Sequence, residues 1–200
     1  MTVLEVLENA SLYLNLKEEF ESIFNNENGA EISKETQNQF NNLVNCLNIV
    51  ANDIASKYCK LLTYDEVEFV NNSFDIFKLS KKVNKIFAVK DKNGLRKNFK
   101  IIDNKIVCDN SGNFVVEYSY YPQQLTKDDN LNVFGGKISL KTFVMGVACE
   151  YCFVNGFFDD AKIWEERFVN GINSNLRKIG HSHMPKRRWF WWDMLKLQLI

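Results

Sequence analysis

Two hundred residues with an apolar fraction of 46% suffice for one cored domain carrying at most one elaboration. The 25 Lys and Arg cancel the 25 Asp and Glu, so the whole molecule has no net electrostatic pull toward nucleic acid. Five irregularly spaced cysteines do not make a secreted disulfide framework, "MTVLEVLENA" carries no basic leader, and no run reaches the ~18 consecutive apolar residues of a membrane span; the expectation is a soluble intracellular protein.

Thr2-x-x-Glu5 has the form of a capping box opening a helix. Leu4, Leu7, Leu12, Leu16, Phe20, Ile23 and Phe24 continue it as a helical stripe with a break near "ENAS", and "NNENGAE" ends it with turn residues. Ser33 caps a second helix. Its apolar face runs through Phe40, Leu43, Val44, Leu47, Val50, Ala51, Ile54, Tyr58 and Leu61 at three- and four-residue steps. Cys46 and Cys59 lie beside that stripe as small apolar side chains.

Near Thr63 the period changes to two. "DEVEFV", "SFDIFKLS", "KIFAVKD", "NFKIID", "NKIVCD" and "NFVVEYSYY" are short β-type runs separated by "KNG", "DN" and "DNSG". They predict a small antiparallel sheet of hairpins over 64–121, closed by Pro122, which has no ladder donor. After Gly135-Gly136, "ISLKTFVMGVACEYCFVNG" holds only two charges, Lys141 and Glu150, and so predicts a central helix ended by Gly156. Asp159 or Asp160 starts a last helix, with Ala161, Trp164, Phe168, Ile172 and Leu176 on its buried face and Gly180 as its stop. The fold class is α+β: a helical bundle of about four helices, an inserted small antiparallel β-sheet and an extended C-terminal tail. The divisions are 1–62 (helical pair), 63–122 (β insertion), 123–180 (helical pair completing the bundle) and 181–200 (tail).

Phosphate-binding glycine loops, G-x-S-x-G and H-E-x-x-H are all missing, and the only histidines, His181 and His183, sit in the tail. With Cys149-x-x-Cys152 they supply the ligand types of a Cys₂His₂ zinc site, but "CEYC" falls inside an apolar helical run where zinc pairs are uncommon. Two small core residues at a close helix approach explain the same cysteines.

The tail is unusual. "KRRWFWW", Lys186, Arg187, Arg188, Trp189, Phe190, Trp191 and Trp192, puts three of four tryptophans behind a basic triplet. Left bare, four such aromatics would expose on the order of 600–1,000 Å², more than the usual largest patch on a monomer, about 300–600 Å². Arg and aromatic residues are enriched at protein–protein hot spots. Stacking on single-stranded nucleic acid, an interfacial membrane anchor, and folding back over the chain's own core are the other uses of such a cluster.

The strings "MTVLEVLENASLYLNL" and "ETQNQFNNLVNCLNIVANDIASKYCKLLTYDEVEF", with a centre at Leu43 to Asn48, resemble the opening of head-to-tail adaptor proteins of tailed bacteriophages. "VEYSYYPQQLTKDD" looks like that family's strand ending in Y-x-x-P. "GVACEYCFVNGFFDDAKIWEERFVNGI" is similar to its paired closing helices, and "PKRRWF" to the basic-aromatic tail of some members. The resemblance implies a non-enzymatic virion protein without a cofactor. It would be made in the host bacterial cytoplasm and placed in the neck between capsid and tail. Its copies, usually twelve, would form a homo-oligomeric ring below the portal protein and contact other neck or tail proteins. Residues 186–192 would dock onto the portal or a neighbouring subunit, and double-stranded DNA would pass through the lumen without sequence-specific binding; no membrane is involved. The residues leave open an alternative: a nucleic-acid- or zinc-binding regulator using the tail or Cys149, Cys152, His181 and His183.

Overall fold

Thr2 caps helix α1 (Val3–Tyr13) as its sequence implies: its hydroxyl accepts the Glu5 N–H at 3.1 Å while the Glu5 carboxylate accepts the Thr2 N–H. The computed structural model describes residues 1–25 and 32–180, with side chains through residue 176. The buried face of α1 is Val3, Val6, Leu7 and Ala10, and Leu12 of the predicted stripe is exposed. The chain breaks four residues later than expected. Asn15 takes φ 58°, a left-handed conformation that Asn tolerates, and α2 (Lys17–Phe24) follows. The single predicted helix is therefore two, and the described helices number five.

Ser33 accepts the Thr36 N–H at 3.0 Å and starts α3 (Lys34–Asp53), which widens into a π-type turn over Ile54–Tyr58 before the first strand. Two further helices, α4 (Leu140–Val154) and α5 (Phe158–Gly180), close the body. As its near-uniform apolarity predicts, α4 is central: it packs against α1, α3 and α5. Gly146 makes this possible. A Cβ there would lie 2.7 Å from Val50 Cγ1 of α3 and 2.9 Å from Phe168 Cε2 of α5, so three helices meet at one missing side chain.

The strands are β1 (Leu61–Phe69), β2 (Ser73–Asp75), β3 (Val83–Lys90), β4 (Arg96–Lys97), β5 (Phe99–Ile102), β6 (Lys105–Cys108) and β7 (Gly112–Tyr120). All pairs are antiparallel, giving a four-stranded sheet ordered β1-β7-β3-β4 and a three-stranded sheet ordered β2-β6-β5. The hairpin chemistry holds at β5–β6, where Asp103 and Asn104 take φ 47° and 59°, the two positive values of a type I′ turn. Two features depart from a single sheet of hairpins. The insertion is closed by β1 and β7, its first and last strands, in register from Leu61↔Tyr120 to Phe69↔Gly112. "SFDIFKLS" is cut after three residues because Asp75 Oδ1 accepts the Phe77 N–H at 2.9 Å and turns Ile76–Lys78 into a 3-10 helix.

Two hydrophobic cores result. The larger joins α1–α5 with the loop residues Leu125, Leu131, Phe134 and Ile138; the smaller lies between the sheets and contains Phe69, Ile86, Val89, Ile106, Val116 and Tyr118. Tyr120, at the end of β7, packs against both.

Candidate partner-docking interface

Polar side chains fix how the β insertion leaves the helical body. Asn48 sits on α3 facing the loop after β7. Its Oδ1 accepts the Leu125 N–H at 2.7 Å and its Nδ2 donates to the Leu125 carbonyl at 3.0 Å. One amide thereby satisfies both backbone groups of a buried loop residue, as a neighbouring strand would. Below this clamp, Asn52, Lys81, Lys82, Tyr120, Tyr121 and Asn130 help line a cleft of about 700 Å³ between body and insertion. The ammonium of Lys81 lies 4.0 Å from the centre of the Tyr120 ring.

A second network closes the insertion. Asp65 accepts the Ser80 N–H at 2.7 Å, the Ser80 hydroxyl at 2.8 Å and the Tyr118 hydroxyl at 2.8 Å. Burial alone would raise the Asp65 carboxyl, but these donors, with the charge of Lys81, hold it below its ordinary value. Burial raises the Tyr118 hydroxyl, and the Asp65 carboxylate that it serves adds to the shift.

The cysteines behave as core residues. All five are free and buried. Burial first, and the Glu150 charge second, push both Cys46 and Cys149 up to about 12, and burial also raises Cys152. The Cys149 thiol donates to the Ala161 carbonyl at 3.5 Å. Neutral thiols are poor metal ligands and poor nucleophiles. Among the described residues no group of three His, Cys, Asp or Glu is placed to hold a metal. His181 and His183, the other half of the zinc pattern, lie outside the described residues. Glu150 is the one described carboxyl held above its ordinary value, by burial and then by the charges of Asp53 and Glu165 against the opposing pull of Lys57.

The docking residues Lys186, Arg187, Arg188, Trp189, Phe190, Trp191 and Trp192 also lie outside the described residues, as does the whole of 181–200. Among the described residues two exposed apolar patches stand out. At the α4–α5 corner, Phe153, Val154, Phe157 and Phe158 are all exposed, with the Phe153 and Phe158 rings edge to face at 6.0 Å. On the outer face of the four-stranded sheet, Leu62 and Tyr64 stand 67% and 65% exposed, and Phe87 beside them carries Lys60 over its ring at 5.2 Å. With Thr63, Glu117 and Tyr118 they line a shallow groove of about 440 Å³. Sequence reasoning missed this shelf, although a signal was present: "LLTY" puts large apolar or aromatic residues on both faces of a strand, and Leu62 and Tyr64 share the face that continues into Glu66 and Glu68.

No helix among the described residues is long and apolar enough to cross a membrane. Neither a protein-family model nor a curated protein sequence matches the chain.

Proposed function

We propose that this protein is a structural, non-catalytic virion component: a head-to-tail adaptor whose copies, twelve in the usual arrangement, form a ring below the phage portal. The observation that carries the reading is the order of elements. A helical body made from both ends of the chain, interrupted by one antiparallel insertion, is the plan that the sequence resemblance implies. The strings that make the resemblance fall mainly on α1, α3, α4 and α5 and on β1 and β7, apart from "PKRRWF", and Asn48, at the end of the Leu43–Asn48 centre, clamps the loop that follows β7. The protein's thiols are buried, and burial pushes those of Cys46, Cys108, Cys149 and Cys152 above the ordinary value, which fits a packing role better than zinc or redox chemistry. A ring is a closed heterologous assembly in which every copy offers two different faces. Lys186 to Trp192 supply one of them, docking onto the portal or a neighbouring subunit, and the lumen passes double-stranded DNA without reading its sequence. The protein would act in the neck between capsid and tail after synthesis in the host cytoplasm.

Co-sedimentation with the portal ring encoded by the same genome tests this. The full-length chain should pellet with the ring. A chain stopped after Pro185 that fails to pellet makes the tail the portal hook; one that still pellets assigns the tail to a neighbouring copy. If the full-length chain stays in the supernatant, the adaptor reading fails.

A further inference from the structure

We infer that the free edge of β1, with the shelf of Leu62, Tyr64 and Phe87 beside it, receives residues 186–194 of a neighbouring copy as an added antiparallel strand. The inference rests on reading the tail as a docking segment and names its receptor.

Three properties single out β1. It ends the four-stranded sheet and pairs only with β7 among the described residues. Its nine residues run against β7 without a register shift, so its outer row of N–H and C=O groups is a regular template. Other edges are poorer. On its side away from β7, β3 is covered by β4 only at Val89 and Lys90, and its ladder with β7 shifts register twice, between Val83 and Lys85 and between Ile86 and Ala88. Such irregularities spoil a template. At the margins of the smaller sheet, β2 and β5 offer three and four residues.

The side chains choose the occupant. Tyr64, Glu66 and Glu68 are exposed along the outer face of β1. Two β1 strands run antiparallel over these nine positions would set Asp65 against Asp65 and Glu66 diagonal to Glu66, so the acids disfavour β1–β1 pairing and admit a basic partner. Residues 186–194, "KRRWFWWDM", match the nine positions of β1 one for one when run antiparallel from Phe69 to Leu61. In that register Arg187 falls opposite Glu68, Trp189 opposite Glu66, and Trp191 opposite Tyr64 at the Leu62–Phe87 shelf. Asp193 falls opposite Leu62, next to Lys60. Alternation puts these four on the outer face together. Arg188, Phe190, Trp192 and Met194 fall on the inner face, in line with Val67, Asp65, Thr63 and Leu61. The aromatic run has the composition of a strand.

Reach sets the geometry. The six steps from Gly180 to Lys186 span at most roughly 20–22 Å, so the Phe69 end of the neighbour's β1 must lie within that distance of the end of α5. Because the tail of each copy serves the next, the contact is heterologous and propagates around a ring.

A fluorescent peptide of residues 181–200, titrated with the full-length chain, tests the inference. We expect saturable binding, weakened about tenfold by Glu68→Arg in the protein, since a cross-strand attraction becomes a repulsion. A peptide carrying Arg187→Glu should recover that loss. Amides from Thr63 to Val67 whose N–H points away from β7 should exchange more slowly as peptide is added. Absence of saturable binding, or binding that Glu68→Arg leaves unchanged, overturns the inference. So does slow exchange of these amides in dilute monomer without peptide, because the tail would then occupy its own β1. In each of those failures the full-length chain still pellets with the portal ring if the adaptor reading stands.

Discussion

The helical body and the β insertion are held together by different physics. In the body the fit of apolar surfaces dominates: α4 is buried on three sides, and Gly146, Ala148, Cys149 and Cys152 are the small residues that let α3 and α5 approach it. The insertion has a much smaller core and is pinned by polar groups. Asp65 joins Ser80 to Tyr118, Asn72 and Ser111 bond each other at the other end of β1, Lys90 pairs with Glu117, and Lys97 meets Asp91 at 2.9 Å. The body should therefore respond most to volume changes, while the insertion should be the part that acid loosens.

The largest expected effect sharpens the first half of that contrast. Phe143 is fully buried on α4 with its ring 5.3 Å from Phe134. Phe143→Ala should cost about 3–5 kcal/mol and lower the thermal midpoint of the whole protein, read by calorimetry. If it left that transition in place, the packing around α4 would not be what holds the protein together.

Asn48→Ala comes next, because it attacks the joint. It removes one amide but leaves both the Leu125 N–H and C=O buried without partners, at about 1–3 kcal/mol for each. The measurement is hydrogen exchange at Leu125: its amide should lose protection by the corresponding factor while Val147 in α4 keeps its own. Asn48→Asp should be an intermediate case, since a carboxylate still accepts from the N–H but cannot donate to the carbonyl.

For the insertion the probe is pH. Asp65 is held below its ordinary value, so its contribution is fully present above about pH 4, the ordinary aspartate range, and is lost as pH falls through the folded-state value. Glu150, in the body, is shifted the other way. Its carboxyl is easier to bury protonated, so the body gains stability as pH falls from the folded-state value of Glu150 toward the ordinary one. Acid should then loosen Val116 in β7 before Val147 in α4, in site-resolved exchange. Asp65→Asn, which keeps shape but weakens three hydrogen bonds, should cost roughly 1.5–3 kcal/mol at neutral pH and abolish the acid limb at Val116. Simultaneous loss at both sites in the wild type would mean that the two cores melt as one.

How legible the two regions were follows from the same contrast. Packing by periodic apolar faces is written in the order of residues, so Phe40 to Ile54, the central α4 and the caps at Thr2, Ser33 and Gly156 were all readable. The break at Asn15 came later than expected because it depends on a left-handed backbone position and not on the stripe. In the insertion the strands and the Asp103-Asn104 turn were readable, being local. The β1–β7 closure and the Asp65–Tyr118 bond were not, since the latter joins residues 53 apart and no local signal chooses the partner. As for docking, composition alone marked Lys186 to Trp192. The edge proposed to receive them becomes visible only once the strand order shows that β1 ends a sheet.

Trp164 separates the two kinds of holding force within a single residue and gives the smallest effect. On the α5 stripe with Ala161, Phe168 and Ile172 it counted as core, yet only those three are buried. Trp164 is half-buried at the edge, with Tyr13 at the end of α1 5.5 Å from its ring and the Arg167 guanidinium 4.9 Å above it. A fully buried tryptophan replaced by alanine would cost about 3–5 kcal/mol. Here the truncation vacates surface that water can fill, so no closed cavity forms, and the loss is the ring pair and the cation contact, each worth about 0.5–1.5 kcal/mol. A double-mutant cycle of Tyr13→Ala and Trp164→Ala should give a coupling of about 0.5–1.5 kcal/mol in denaturant unfolding, with the folded state retained in every variant. A coupling near zero would mean that α1 and α5 touch there without holding each other, and that α4 alone organises the body.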